Sequence, residues 1–394
     1  MRKKIILMTH GTETLDYFSR QLETGFQELG YQTFLFNQAK EEESTQALAH
    51  FASFSDAILV TFNFDGIHYE TSLFDGEGRR FWDVRDIPCV NIAVDHPFYY
   101  PELFAIQGKG FHEISIDRYH QKYMNTYYPE LESSTFLPLG GTSLTPDGSY
   151  QPLSKRQYDV VFAANFVPKE TFLPHINRLG EEYAAFYQKI IDELVQNPDM
   201  PDDFVMEKHL RREFPKITRE ELKETMGNLI FIDTYIRFYY REQVVKILVD
   251  NGIHVHCIGH GWDKLPCAHP EYLTYEKNTV SHDCLERMAD ARISLNVMPW
   301  FKDGAHDRVF NAMANGSICV TDHSIYLDEI LTDDENVLFY DLKHLRLLPE
   351  KMKTLLANPA RQEEIAAKGF ELATKNHTWH SRAKTLHENL LKKF

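Results

Sequence analysis

The sequence has few cysteines, no long apolar run and no excess of basic residues. Its five cysteines are odd in number and scattered, as in a reduced, intracellular protein. The apolar run near the start covers only residues 5–8, which is too short for a signal peptide or a membrane span. The net charge of −16 argues against general binding to nucleic acid or to an anionic membrane. The composition therefore predicts a cytoplasmic protein and leaves its oligomeric state open.

Strand and helix signals alternate along most of the chain. At 394 residues with 43% hydrophobic content, the chain is long enough for two domains with ordinary cores. A strand pattern at residues 4–8 is followed by apolar residues at helical spacing over 15–29. Because strands that alternate with helices form parallel sheets covered on both faces, the predicted fold class is α/β.

The domain boundaries follow from a polar stretch and a helical stretch. Residues 140–152 are polar and turn-rich, which predicts a linker, and residues 169–250 carry little strand signal, which predicts a helical insertion. The predicted domains cover residues 1–150 and 151–375, and a last segment, 376–394, packs back on the first domain. The insertion has three open roles: substrate binding, dimerisation or bracing.

The most informative stretch is SLNVMPWFKDGAHDRVFNAMANGSICVTD, residues 294–322. It predicts a strand, a polar loop, a helix, a tight turn at Asn315-Gly316 and a second strand, with the glycine as a left-handed C-cap. Ligands of open α/β sheets bind at the carboxyl ends of strands. A helix N-terminus favours anions there, and Arg308 adds a planar guanidinium. The pattern therefore predicts a site for a phosphate-bearing ligand. The polar residues at this position are Asp303, Gly304, His306, Asp307 and Arg308.

Two further loops follow predicted strands of the same domain. The first comprises Gly259, His260, Gly261 and Trp262, whose glycines either approach a ligand closely or form a tight turn. The second comprises Asp322, His323 and Ser324. There Ser324 caps the next helix, or the backbone amides contact phosphate, and both roles are compatible. Both loops are candidates for the same ligand site.

Several of these motifs together resemble those of the CgeB-like glycosyltransferases. They are GHGW at 259–262, SLN at 294–296, DGAHDRVFNAMANG at 303–316, TD at 321–322, YLDEI at 326–330 and HTW at 377–379. The N-terminal half is similar in style only, through ILMTHGTET, VTFNFDG and NIAVDHP. The resemblance implies the GT-B architecture, in which two Rossmann-like domains face each other and the C-terminal helices cross back to the first.

The implied activity is sugar transfer from a nucleotide-sugar donor, a UDP-sugar, to a hydroxyl group of a glycan, protein or small molecule. The resemblance implies no cofactor and no metal, with basic side chains and a helix dipole stabilising the leaving diphosphate. The diphosphate site then comprises Arg308, His306 and the backbone of Gly304 and Ala305. The implied donor-binding set is Gly259, His260, Gly261, Trp262, Asp303, Gly304, His306, Arg308, Asn311, Asp322, His323 and Ser324.

One position departs from the pattern of related enzymes. Two acidic residues eight positions apart flank this loop and helix in such enzymes, and the second holds the ribose hydroxyls. Asp303 and Asn311 take their places here. An amide accepts a hydrogen bond but carries no charge, so either ribose binding is weaker or Asp328 or Glu329 carries it.

The predicted catalytic residues lie in the first domain. Asp95 and His96 directly follow a predicted strand over residues 90–94. An inverting transfer needs a general base, for which Asp95 is the first candidate and His96 the second. The alternative is an Asp-His-Pro turn, and a retaining enzyme needs neither residue as a base. Turns at residues 10–12 and 63–66 also end strands. They are candidates for acceptor contacts or for a glycine-rich loop that approaches the donor phosphate, or they are ordinary turns.

Two other functions fit the same fold. One is a non-catalytic sugar-nucleotide-binding protein of spore-coat or envelope assembly, which Asn311 in place of an acid favours. The other is a sugar-nucleotide epimerase. The histidines and cysteines of residues 254–269 match no standard zinc spacing, so no metal site is predicted.

Overall fold

The computed structural model describes residues 2–52, 56–145, 148–277 and 280–394, with the backbone alone described at 133 and 134. The chain divides into two compact units, Met1–Gly140 with His377–Phe394 and Gly141–Asn376. Within the described residues each unit contains one six-stranded sheet whose neighbouring strands are all parallel. The predicted α/β class with two Rossmann-like units is confirmed.

The first unit has the strand order β2-β1-β3-β4-β5-β6. Its strands are β1 (Lys4–Thr9), β2 (Gln32–Asn37), β3 (Ala57–Phe62), β4 (Cys89–Ala93), β5 (Phe111–Ser115) and β6 (Glu132–Phe136). Its first helices are α1 (Glu13–Glu28), α2 (Glu41–Phe51), α3 (Phe81–Val84), α4 (Pro101–Ala105) and α5 (Arg118–Tyr127). Every residue of β3 and β4 is buried, as their largely apolar sequences predict for central parallel strands. A helix was predicted over residues 45–54, and its positions 53 and 54 lie outside the described residues.

The second unit has the strand order β12-β11-β10-β7-β8-β9. Its strands are β7 (Tyr158–Ala163), β8 (Val255–Ile258), β9 (Leu273–Glu276), β10 (Ala291–Leu295), β11 (Ile318–Asp322) and β12 (Leu338–Tyr340). Between β7 and β8 lie α6 (Leu173–Asn177), α7 (Glu181–Gln196), α8 (Asp202–Glu213), α9 (Arg219–Gly227) and α10 (Ile230–Val249). The later helices are α11 (Ser281–Ala289), α12 (Asp307–Ala314), α13 (Ile325–Ile330), α14 (Leu348–Leu356) and α15 (Pro359–Asn376). The five helices α6 to α10 form the predicted insertion. No helix in the described part of the chain is long and apolar enough to cross a membrane.

The last helix, α16 (Trp379–Asn389), belongs to the first unit. It packs on α1, where the ring of Trp379 lies 4.6 Å from that of Phe18. A Cβ added to Gly25 would lie 2.7 Å from the Cβ of Ala383, so the glycine lets the two helices approach closely. The predicted return of the C-terminal helix to the first unit is confirmed.

The linker segment is attached to the second unit by side chains of α12 and its C-cap. The backbone N–H of Thr142 donates to Asn311 Oδ1 at 2.8 Å, and that of Leu144 donates to Asn315 Oδ1 at 2.9 Å. These bonds explain why the second unit begins at Gly141, whereas the sequence prediction carried the first domain to residue 150. Positions 146 and 147 of the predicted linker lie outside the described residues.

A buried lysine ties the loop after β10 to the insertion. Lys302 is 8% exposed, and its Nζ donates to the carbonyl oxygen of Pro198 at 2.6 Å. The same Nζ lies 3.9 Å from a carboxylate oxygen of Asp202, at the start of α8. Burial raises the pKa of Asp202 well above its usual range, and the Lys302 charge opposes this rise. The loop that carries the predicted site is therefore held against the helical insertion.

Candidate functional site

The N-terminus of α12 forms the centre of the predicted donor site. All eight residues of this helix are buried, and His306 caps it by accepting a hydrogen bond at Nδ1 from the Arg308 N–H at 3.3 Å. Burial lowers the pKa of His306 to about 4, and the Arg308 charge adds to the effect. The imidazole is therefore neutral at neutral pH. Gly316, with φ of +66°, follows the helix in the left-handed conformation that the sequence predicted.

Arg308 braces the carboxyl ends of two strands. Its Nε donates to Asn296 Oδ1 at 3.0 Å, and its Nη1 donates to the Ala163 carbonyl at 3.0 Å. Its Nη2 donates to the Val297 carbonyl at 3.4 Å. These bonds occupy three of the five donors of a guanidinium, and burial lowers the pKa of the group. The three bonds give Arg308 a structural role that the sequence did not reveal. Its two remaining N–H groups are available to an anion.

Asn311, the position that departs from related enzymes, is bonded to protein at both ends of its amide. Its Oδ1 accepts from the Thr142 N–H, and its Nδ2 donates to Asp307 Oδ2 at 2.8 Å. The side chain is 7% exposed. Asp303, eight positions earlier, is 5% exposed. In this structure the amide therefore joins α12 to the linker segment.

The glycines of residues 259–262 serve a contact between two loops. A Cβ on Gly259 would lie 2.6 Å from the Ala164 carbonyl oxygen, and a Cβ on Gly261 would collide with the Phe166 carbonyl oxygen. The N–H of His260 donates to Asn165 Oδ1 at 2.9 Å. The loop after β8 thus lies directly on the loop after β7.

Trp262 fills the space beneath this contact. Its ring stacks on Phe166 with centroids 5.1 Å apart, and its Nε1 donates to the Ala164 carbonyl at 2.6 Å. The indole is 1% exposed. Of the four predicted residues, His260 is the exposed one, so a ligand contact from this loop falls to His260 and the backbone.

Replacing Gly261 by Ala is expected to destabilise the second unit. The φ of +90° strains any L-residue, and the collision with Phe166 adds an overpacking cost of about 1–3 kcal/mol. Gly252→Ala is the matched control, because Gly252 also has positive φ (+76°) but its nearest neighbour would lie 3.6 Å from the new Cβ. Urea unfolding should show a larger loss for Gly261→Ala. If the two variants lose the same free energy of unfolding, the contact between the two loops does not contribute to stability.

The loop after β11 contributes a buried carboxylate and a helix cap. Asp322 is 2% exposed, its Oδ1 accepts from the Met298 N–H at 2.9 Å, and burial raises its pKa to about 6. Ser324 caps α13 by accepting from the Leu327 N–H at 3.1 Å. His323 is exposed, and its Nδ1 lies 2.7 Å from Asp328 Oδ1. Ser324 therefore has the capping role that the sequence analysis left open.

In the first unit, two side chains hold Asp95 at the end of β4. The Asp95 Oδ2 accepts from the hydroxyl of Tyr100 at 3.1 Å and from Asn63 Nδ2 at 3.3 Å. Burial and the Asp95 charge raise the pKa of Tyr100, which keeps its hydroxyl protonated as the donor. Asn63 Oδ1 also accepts from the Val94 N–H at 2.9 Å. The carboxylate is thus oriented and half-buried, as a base needs to be.

His96 lies among aromatic side chains. It is 7% exposed, and its ring centroid lies 4.1 Å from that of Phe98, 4.4 Å from His120 and 4.9 Å from Tyr123. Its Nδ1 accepts from the Phe98 N–H at 3.2 Å. This placement matches the turn alternative and leaves Asp95 as the better-placed candidate.

Three strand ends of the first unit meet around one glutamine. A Cβ on Gly11 would lie 2.6 Å from Gln38 Nε2, and the same Nε2 donates to Asp65 Oδ2 at 3.2 Å. Burial raises the pKa of Asp65, and the bond from Gln38 opposes this rise. The turns predicted after β1 and β3 therefore come together with the residue after β2.

Sequence reasoning missed a second arginine beside the predicted donor site. Arg241 on α10 donates from Nη1 to the Asn165 carbonyl at 2.8 Å, and its guanidinium carbon lies 5.3 Å from the ring centre of Trp300. The available signal was the pair Arg237 and Arg241, one helical turn apart in the aromatic run YIRFYYREQ. Across the described parts of the chain, no three His, Cys, Asp or Glu side chains are grouped to hold a metal ion.

A family described as "Glycosyl transferase-like" matches residues 241–388. This segment contains the loops after β8, β10 and β11 and the whole of α12. No curated protein matches the chain in sequence.

Solved structures share the fold over nearly the whole chain. Sucrose-phosphate synthase from Thermosynechococcus elongatus has a TM-score of 0.55 and 12% identity, covering 100% of this chain and 99% of its own. An alpha-glucosyltransferase solved with UDP-glucose and DNA containing an abasic site has a TM-score of 0.54 and 13% identity, covering 99% of each chain. HepE of Anabaena, solved with UDP, has a TM-score of 0.52 and 10% identity, covering 100% of each. The solved structures show the GT-B fold, and the family match over residues 241–388 indicates glycosyltransferase activity.

Proposed function

We propose that this glycosyltransferase moves a sugar from a UDP-sugar to a hydroxyl acceptor without a metal ion. The observation that carries the proposal is the buried N-terminus of α12, where Arg308 and the neutral His306 lie at the carboxyl ends of β7 and β10. Such a helix terminus with a guanidinium favours the developing negative charge of a leaving diphosphate. The solved structures with UDP or UDP-glucose on the same fold support this donor class.

The donor residues divide into direct contacts and supports. We assign the diphosphate to the free N–H groups of Arg308 and to the backbone of Gly304 and Ala305. His260 and His323 are exposed beside the strand ends and are assigned to the nucleotide. The supporting residues, which hold the loops in place, are Gly259, Gly261, Trp262, Asn311, Asp322 and Ser324. The ribose is assigned to Asp303, with Asp328 or Glu329 as the alternative.

Asp95 is proposed as the general base of an inverting transfer. Its carboxylate takes the proton of the acceptor hydroxyl as that oxygen bonds to the anomeric carbon of the donor sugar. The bond from this carbon to the diphosphate oxygen breaks, and the nucleoside diphosphate leaves with the electron pair. The Arg308 guanidinium and the N-terminus of α12 stabilise the leaving charge in place of a metal.

The CgeB-like relationship remains part of the proposal. It rests on the motifs from residue 259 to 379, which coincide with the matched segment. A second function, nucleotide-sugar binding without transfer, is favoured by one observation: the amide of Asn311 is bonded to Thr142 and Asp307. Detection of a transferred sugar product separates the two functions.

The proposed donor class predicts a thermal shift with UDP in the presence of EDTA. The nucleotides UDP, GDP, dTDP, ADP and CMP are compared at equal concentration. A ligand at 100 times its Kd stabilises the folded state by about 2.7 kcal/mol, which gives a shift of several degrees. The largest shift is expected with UDP. A shift that requires a divalent metal contradicts metal independence, and no shift with any of the five removes the donor-site proposal.

A further inference from the structure

Arg241 lies on the insertion, yet its guanidinium reaches the loop that follows β7. Its Nη1 donates to the Asn165 carbonyl at 2.8 Å, while Arg308 donates to the Ala163 carbonyl two residues earlier. The two guanidinium groups, from α10 and α12, therefore attach to the same short segment at the carboxyl end of the sheet.

The ring of Trp300 provides a common surface for the guanidinium groups of Arg237 and Arg241. The guanidinium carbon of Arg237 lies 4.5 Å from its ring centre, and that of Arg241 lies 5.3 Å away. The His306 ring lies 6.0 Å away with a nearly perpendicular plane. An aromatic face orients a guanidinium while leaving its N–H edge free for an anion. Lys302, two residues after Trp300, bonds the Pro198 carbonyl and so attaches this loop to the insertion.

The positive charge of Arg241 is only partly balanced by its neighbours. Asp233 is paired with Arg237, its oxygen 2.8 Å from Arg237 Nη2. Among the described residues, Arg241 Nε is buried without a hydrogen-bond partner. Burial lowers the pKa of Arg241 well below its usual range, the charges of Arg308 and Arg237 lower it further, and the Asp233 charge opposes this fall. A half-buried cation with a buried, unbonded donor and like charges beside it is stabilised by an anionic ligand.

We propose that Arg241, set against Trp300, binds the diphosphate of the donor beside Arg308. This rests on the proposed function and deepens it, because the helical insertion then supplies part of the donor site. Three N–H groups of Arg308 donate to protein acceptors, whereas one N–H group of Arg241 does. Arg241 therefore has more N–H groups available for phosphate oxygens. The insertion thus has a role other than bracing alone.

The test compares Arg241→Ala and Arg241→Lys with the wild type for binding of UDP, inorganic pyrophosphate and uridine. Calorimetry should show UDP and pyrophosphate affinity falling about 10- to 100-fold in Arg241→Ala. Uridine affinity should be unchanged, because uridine has no phosphate. Arg241→Lys should lie between, since lysine keeps the charge but loses the planar fork. Lys246→Ala on the same helix is the control, because Lys246 bonds Asp250 and its loss should leave all three affinities unchanged.

The outcomes separate this inference from the proposed function. Unchanged UDP affinity in Arg241→Ala overturns the inference, while UDP binding by the wild type keeps the donor proposal. If Arg241→Ala loses affinity for uridine and UDP equally, its effect is structural and the inference is overturned. The inference is also overturned if the wild type binds uridine but not pyrophosphate. A ligand-free melting temperature near that of wild type for Arg241→Lys shows that its affinity change is not unfolding. If the wild type binds none of the probes, the proposed function fails and the inference falls with it.

Discussion

Replacement of Asp95 by Asn is expected to lower kcat by about 10²- to 10⁴-fold while leaving donor affinity unchanged. Asparagine has the same shape, and its amide oxygen can still accept the bonds from Tyr100 and Asn63. It cannot take the proton of the acceptor hydroxyl. UDP release from the UDP-sugar at saturating donor measures kcat, and the thermal shift with UDP measures donor binding.

Asp83→Asn is the matched control for this substitution. Asp83 lies in the same unit and is bonded to Arg80 at 2.8 Å, with its side chain 48% exposed. Asp83→Asn also removes one carboxylate charge, but at a position away from the end of β4. Turnover should therefore remain at the wild-type level. If Asp95→Asn turns over as fast as the control, Asp95 is not the base, and a retaining transfer becomes the better mechanism.

Replacement of Arg308 by Lys is expected to reduce both stability and donor affinity. Lysine cannot reach Asn296, Ala163 and Val297 together, and each buried acceptor left without a donor costs about 1–3 kcal/mol. The loss of the guanidinium fork should also weaken UDP binding about 10- to 100-fold. Urea unfolding measures the first effect, and calorimetry at a temperature where the variant is folded measures the second.

Arg156 offers a closely matched control for Arg308. It lies in the same unit, is 4% exposed and donates to three backbone carbonyls. The acceptors are those of Gln151, Ala291 and Asn315, at 3.0, 2.8 and 2.9 Å. Arg156→Lys should therefore lose similar stability yet bind UDP as tightly as the wild type, since it borders the amino end of β10. Equal affinity in Arg308→Lys and Arg156→Lys would restrict Arg308 to its structural role.

The local pattern of residues 294–322 was sufficient to predict its secondary structure. The predicted strand, helix, left-handed glycine and strand appear as β10, α12, Gly316 and β11. Apolar periodicity and glycine chemistry act over a few residues, so the sequence contains all the information that these elements need. The edge strand β9 was missed, because it has only four residues, none of them buried, and lacks the apolar run of a central strand.

The partners of the polar side chains could not be predicted in the same way. The Gly261 turn was predicted as a close approach to a ligand or as a tight turn, but the atom it approaches is the Phe166 carbonyl oxygen. Asn311 was assigned to a ribose, and in the structure it is bonded to Thr142. Such partners lie far away in the chain, so no periodicity or spacing records them.

The sequence by itself determined the α/β class, the parallel order implied by alternating strands and helices, and the position of α12 after a strand end. These follow from hydrophobic period and from short-range backbone preferences. Only the tertiary structure decided which donors of Arg308 remain for a ligand and that Arg241 reaches the same loop from the insertion. The physical reason is that burial and hydrogen bonding depend on which distant segments pack together, and that packing also decides where charge is left unbalanced.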